Sequence, residues 1–340
     1  MNEMITINPS PALTFAKLKM NGDRIFLNTG ILKKQNVIVT VTGRHSRSDT
    51  LYDEPIPAGA GGEDLDRILS FDRRVLTAEG DIHVNNVFIG PGSCGMIVRI
   101  ARGTSARIVE ITRGGGDYSA IRSTLYLLEE GASLTLVQIQ QLDKRTLYID
   151  DLRARLAENA QLKITRLDLG SAVSYQSSKV LLEGKSADYA AHGNFLLNGD
   201  QRLDINMIAE HIAPNTVSDM RSDGVLLDRA SKIFRGSLDF KSGCKGAKGS
   251  ENEDVMLLSD GADNQSMPII LCGEEDVEGN HGATVGRVSD DALYYLASRG
   301  FDEEKAYKMI VRSRMNATIA CVPDADLRDE LEKTVDEVLA

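Results

Sequence analysis

The residues able to do chemistry in this chain are few and mostly solitary. Five histidines and four cysteines are spread over 340 residues. His281 stands in the polar, glycine-broken stretch "EEDVEGNHGATVG", between Asn280 and Gly282, and reads as a residue near the surface. Cys272 lies nine residues before it, with four acids between them. Thiolate and imidazole can hold iron or zinc, but this spacing matches no local chelate, and Cys272 reads as a packed residue. His211 ends the alternating run Leu203, Ile205, Met207, Ala209, His211, so its ring is expected inside, hydrogen-bonded at the end of a core strand. His192 sits beside a turn glycine, and His45 and His83 fall in loop-like stretches. Cys94, Cys244, Cys272 and Cys321 form no CxxC pair, so neither a closed zinc site nor a disulfide framework is expected.

Other motifs carry less. Gly184-Lys185-Ser186 has the ending of a phosphate-binding loop, but Lys179 stands where that loop needs its earlier glycine. "TRGGGDY" and "KSGCKGAKGS" are glycine-rich without standing between a strand and a helix, and read as turns. No G-x-S-x-G elbow and no H-E-x-x-H motif is present.

The elements that must position these residues are mainly strands. From about Ile5 to Cys272 short strands such as "NVIVTVTG", "GMIVRI", "STLYLLEEG" and "KIFRGSLDF" are cut by Gly, Asn, Asp and Ser. A repeat places a small polar turn before Ala106, Ala132, Ala160 and Ala187, about 27 residues apart. Inside it the apolar phase shifts: Leu134 and Leu136 are followed by Val137 and Ile139, and Leu162 and Ile164 by Leu167 and Leu169. Such a shift predicts a strand that bends and restarts with the other parity inward. Two strands per turn at a fixed period fit a solenoid, with a two-sheet sandwich as the alternative. Residues 61–74, "GGEDLDRILSFDRR", read as a lid or a short surface helix. After Gly286 the period changes from two to about 3.6. Ser289, Asp302 and Asp324 cap three expected helices. Gly300 stops the first; Ala306, Met309 and Ile310 supply the apolar face of the second; Leu327, Leu331, Val335 and Val338 stripe the third. The expected division is a β-solenoid over 1–286 and a small α-helical domain over 287–340.

Net charge is −11, which disfavours nucleic-acid backbones. No apolar run reaches the roughly 20 residues that cross a bilayer, and the N-terminus has no signal-peptide pattern, so a cytoplasmic location is expected. Trp is absent and aromatics are 5%, which argues against a polysaccharide-cleaving β-helix enzyme with its sugar-stacking platforms.

The stretch "EGNHGATVGRVSDDALYYLASRGFDEEKAYKMIV" resembles the C-terminal signature of the SufB/SufD family of iron–sulfur cluster assembly proteins, on its SufD side. Upstream, "EHIAPNTVSDMRSDGVLLDRASKIFRG" places His211, Pro214, Thr216, Ser218, Gly224, Asp228, Ala230, Phe234 and Gly236 where that family's pattern wants them. The resemblance is good from about 200 to 315, and the chain looks like a short form without the long helical N-terminal region of larger members. It implies a right-handed parallel β-helix followed by C-terminal helices, and a non-catalytic scaffold. The implied partners are a SufB-like subunit, paired through the β-helix, and a SufC-like ABC ATPase, docked on the C-terminal helices. His281 matches the histidine implied to lie at the shared interface and to ligate a transient iron–sulfur cluster. Ser289, Asp290, Leu293, Tyr294, Arg299, Phe301, Lys308 and Arg312 are the implied ATPase-docking residues. Ala262, Gly279, Asn280 and Gly282 replace ligand-type residues of relatives. A homodimeric scaffold, using a second copy of the chain in place of SufB, is the alternative within the family.

Overall fold

The computed structural model describes residues 2–12, 20–30, 36–69 and 72–339. An antiparallel hairpin, β1 (Asn2–Ile7) and β2 (Asp23–Asn28), precedes β3 (Val37–Leu51), the short helix α1 (Glu63–Ile68) and β4 (Arg74–Phe88). Then come β5 (Gly92–Ile100), β6 (Ser105–Gly114), β7 (Ser119–Leu128), β8 (Ser133–Leu142), β9 (Leu147–Leu156), β10 (Gln161–Asp168) and β11 (Val173–Leu182). The series continues with β12 (Asp188–Leu197), β13 (Arg202–His211), β14 (Val217–Leu226), β15 (Ser231–Phe240), β16 (Ala247–Leu257), β17 (Asp263–Cys272) and β18 (Val277–Gly286). Helices α2 (Asp290–Ser298), α3 (Glu303–Ile319) and α4 (Ala325–Val338) close the chain.

From β5 onward each strand pairs in parallel with the strand two places on, and both rows start from β4. The odd strands form one wall and the even strands the other, a parallel β-helix of about seven turns. Side chains stack coil on coil: Arg122 meets Asp150 28 residues on, and Ser250 meets Asp219 31 residues back. The corners that lead into the even strands hold a column of left-handed residues, Gly103, Gly131, Asn159, Ser186, Asn215 and Gly246, with φ between 56° and 75°. Their N–H groups each bond a carbonyl of the next coil's corner, as Gly131 does to Glu158 at 2.8 Å and Ser186 to Pro214 at 3.1 Å. Gly184-Lys185-Ser186 is one of these corners, which explains its glycine without a phosphate.

The alanine ladder is real, but its members differ from the sequence expectation. Ala132, Ala160 and Ala187 stand one residue before β8, β10 and β12 and are fully buried. Ala106 lies within β6, opposite Leu134, so Thr104 holds the equivalent corner place. The bend inferred from the apolar phase shift is absent. β8 runs unbroken, with Leu134 and Leu136 in the lumen core and Val137 and Ile139 in a separate core beneath the C-terminal helices. Parity never changes. The lumen positions turn polar (Gln138, Gln140) while the outer positions turn apolar because helices cover them. A one-dimensional pattern cannot separate a strand that bends from one that is covered on both sides.

The outer face of the odd wall is covered by the N-terminal segment. Ile5, Ile7, Leu27 and Leu65 pack on Ile121, Ile149 and Tyr175. Polar groups pin it: Asn8 Nδ2 donates to Asp204 at 2.8 Å, Asn206 Nδ2 to the Ala60 carbonyl at 2.8 Å, and Arg153 to Asp66 at 2.6 Å. The stretch read as a lid is therefore a packed plug in its helical part, with Leu65 fully buried; residues 70–71 of it lie outside the described residues.

The helical caps are as expected. Ser289, Asp302 and Asp324 accept from Ala292, Lys305 and Leu327 N–H. On α3 the expectation needs correction: Met309 faces solvent, and Ala306, Val311, Met315 and Ile319 make the buried face. Asn194 Nδ2 donates to Thr318 Oγ1 at 2.9 Å, and Arg113 to Glu330 at 2.6 Å, so α3 and α4 are fastened to the even wall.

Candidate functional site

The expected site residues fall into two groups. His281 is on β18, the last strand of the even wall, and is exposed. β18 pairs with β16 on one side and stands at the end of the sheet path, so its other edge is open. Register sets His281 opposite Glu251. In parallel, in-register strands about 4.8 Å apart, such neighbours project from the same face. That face is the lumen side, since Val255 on the same parity of β16 belongs to the lumen core.

Glu251, which the sequence reading passed over, is the unusual group here. It is 1% exposed, and neither carboxyl oxygen makes a well-formed hydrogen bond or meets a cation among the described residues. Burial pushes its carboxyl up to about 8, with the Ile269 N–H pulling weakly the other way. The carboxyl fills the space left by Gly236 on the facing wall, where an added Cβ would sit 2.2 Å from Oε2. Lys232 does not serve it: that ammonium, fully buried against the Phe195 and Phe234 rings, is paired to Glu253. Burial lowers Lys232 to about 8 despite the Glu253 charge.

Cys272 departs from expectation. It ends β17 and is exposed, because no further coil stacks on it. Gly279 is tight: a Cβ there would lie 3.2 Å from Ile270 and Phe240 atoms. Among the described residues no three His, Cys, Asp or Glu side chains gather in a group able to hold a metal ion. An iron–sulfur cluster, the cargo implied by the resemblance, would find only part of a ligand set here.

The other histidines are structural or solitary. His211 is fully buried as expected, Nδ1 lying 2.8 Å from Thr216 Oγ1 and Nε2 2.9 Å from Ser218 Oγ, with the Phe240 ring stacked 4.7 Å away. Thr216 gives its own proton to the Ala213 carbonyl, so Nδ1–H donates and Nε2 accepts. His45 and His83 lie on β3 and β4, not in loops. His192 is half-exposed and pairs with Asp223 at 3.0 Å.

The second group lies on α2 and α3. No residue of α2 is buried; Ala292 and Leu293 are half-covered by the core beneath. Tyr294 is 79% exposed, and Tyr295, Phe301 and Met309 are exposed around it. Ser289 is the α2 cap and Asp290 its first residue. Arg299 lies over the Tyr295 ring at 5.3 Å. Lys308 pairs with Glu304 at 2.9 Å and Arg312 with Asp336 of α4 at 2.6 Å, so those two are held within the chain. Among the described residues no helix is long and apolar enough to cross a membrane.

Residues 93–314 match the family described as "SUF system FeS cluster assembly, SufBD core domain". A SufBD family iron–sulfur cluster assembly protein of Mycobacterium tuberculosis, Rv1462, is 27% identical over 83% of this chain and 76% of its own length. A chloroplastic member from Arabidopsis thaliana, ABCI8, is 26% identical over 49% of this chain and 30% of its own length. The matched span covers most of the β-helix, the first C-terminal helix and most of the second; the chain belongs to the SufBD family of iron–sulfur cluster assembly proteins.

Proposed function

We propose that this chain is a SufD-like scaffold subunit that pairs with a SufB-like subunit along β18 and carries a SufC-like ATPase on α2 and α3. The observation that carries the reading is the open edge of β18, the last strand, with His281 exposed on it. An unpaired strand edge invites a partner's strand, and the imidazole would then lie where two scaffolds meet. Neutral imidazole is a suitable iron ligand when a partner completes the set. The exposed aromatics Tyr294, Tyr295 and Phe301 supply a docking surface of the kind that anchors interfaces. The scaffold itself is non-catalytic; ATP hydrolysis belongs to the docked subunit.

Native mass spectrometry of the complex, co-expressed with SufB-like and SufC-like subunits, tests both halves. Recovery of one copy of this chain with one SufB-like subunit is expected. Replacing Tyr294 and Phe301 together by Asp is expected to weaken ATPase capture by roughly tenfold or more while scaffold pairing persists. Unchanged capture removes the docking surface, and a stable pair of identical copies replaces the SufB-like partner.

A further inference from the structure

We propose that Glu251 is the inboard partner of His281 in a two-residue half-site for a borderline divalent transition-metal ion at the open end of the β-helix. This deepens, and rests on, the reading of His281 given above. Three observations converge. The Glu251 carboxyl is buried with no cation beside it and only the Ile269 N–H to ease its charge, a costly arrangement unless something arrives to use it. His281 occupies the register position directly above it on the same face. The nearby cation cannot serve, because Lys232 is committed to Glu253.

Beyond the Ile269 N–H, the local backbone offers little relief. The carboxyl reaches Gly236, whose register mate on the last coil, Pro268, has no N–H to give. A cation is the complementary ligand, and carboxylate with imidazole is a donor pair that suits iron, cobalt or zinc in their divalent states. Two protein ligands leave the remaining positions to water or to a facing scaffold.

Co(II) is the probe, because its visible spectrum reports nitrogen and oxygen ligation directly. The purified chain is titrated anaerobically, beside Glu251→Gln, His281→Ala and, as a control, Glu278→Gln. Glu278 lies on β18 with the opposite parity, bonded to Lys248 at 2.7 Å. Wild type and Glu278→Gln are expected to bind one Co(II) equally. Glu251→Gln and His281→Ala should each lose roughly tenfold or more in affinity. Glu251→Gln should melt no lower than wild type, since it removes a buried carboxyl that has no cation, keeps its shape and leaves an oxygen for the Ile269 N–H. Failure of wild type to bind Co(II), or wild-type affinity in Glu251→Gln, overturns the proposal. A loss in Glu278→Gln equal to that in Glu251→Gln also overturns it, as surface charge alone would then explain binding. The pairing reading fails separately, by absence of the partner in the native mass spectrum whatever the Co(II) result.

Discussion

Two buried acids of the β-helix, Glu110 and Glu251, are treated in opposite ways. In the early coils Arg122 lies between Glu110 and Asp150, and Arg166 reaches Asp150 and Gln138. Asn86 and Gln138 complete the Glu110 carboxylate at 2.9 and 3.0 Å. Burial alone would raise the Glu110 carboxyl, yet Arg122 and these amides hold it below the ordinary carboxylate value. In the last coils Glu251 has no such company and its carboxyl rises. Both carboxyls sit in the same lumen, on the even wall. The difference teaches that stacking alone does not satisfy a buried acid; a cation from the facing wall does, as Arg122 serves Glu110 and Lys232 serves Glu253. Glu251, one coil in from the end between β14 and β18, has no such cation.

The strongest way to break this comparison is to remove the centre of the paired network. Arg122→Met leaves Glu110 and Asp150 buried without their shared cation. Losing one partner of a buried ion pair costs about 3–5 kcal/mol. The urea midpoint should fall accordingly, while Arg312→Met, which breaks an exposed bridge, should cost about 0–1 kcal/mol. If Arg122→Met proves as mild as Arg312→Met, the early network is not structural and the contrast collapses.

A smaller effect comes from His211 at the end of β13. Burial lowers its ring to about 4, against an ordinary 6.5. A base whose folded-state pKa is depressed is stabilising when neutral. Its contribution is therefore whole above pH 6.5 and is lost as pH falls through 6.5 toward 4. The loss amounts to about 3 kcal/mol across that window. Asp168, raised to about 6 by burial with Arg166 opposing, titrates nearby in the opposite sense. The comparison is therefore made with His211→Gln, in which the Asp168 contribution cancels. Wild-type stability should fall more steeply than the variant's between pH 6.5 and 4; parallel curves would mean that His211 opens to water before it protonates.

Much of this architecture was legible in the sequence, and the misreadings have one cause. Ser289, Asp302 and Asp324 were readable as caps because a cap is a local event. The coil period was readable because corners recur as small polar residues before Ala132, Ala160 and Ala187. Val137, Ile139, Leu167 and Leu169 were misread because the helices that cover them lie far along the chain. Cys272 was misplaced for the converse reason: its strand reads as core, but no coil follows to cover it. Glu251 left no signal at all. In "GSENEDVML" it is one acid among several, and only the packing of Val255 in the lumen core fixes which of them face inward. His281 was found through resemblance; its spacing alone said only that it lies near a surface.

The smallest expected effect sharpens the contrast most. The His281 side chain is exposed and makes no hydrogen bond or ion pair among the described residues, so removing its ring should cost the isolated chain little. Surface changes away from caps and networks stay within about 0.5 kcal/mol. His281→Ala should therefore leave the urea midpoint almost where it was, while the same substitution removes the imidazole proposed to face the partner scaffold. Measured beside Arg122→Met, the pair separates residues that hold the β-helix together from those that its open end presents. A midpoint shift in His281→Ala comparable to that in Arg122→Met would mean that the last coil is braced by this ring, and that its exposure is not kept for a partner.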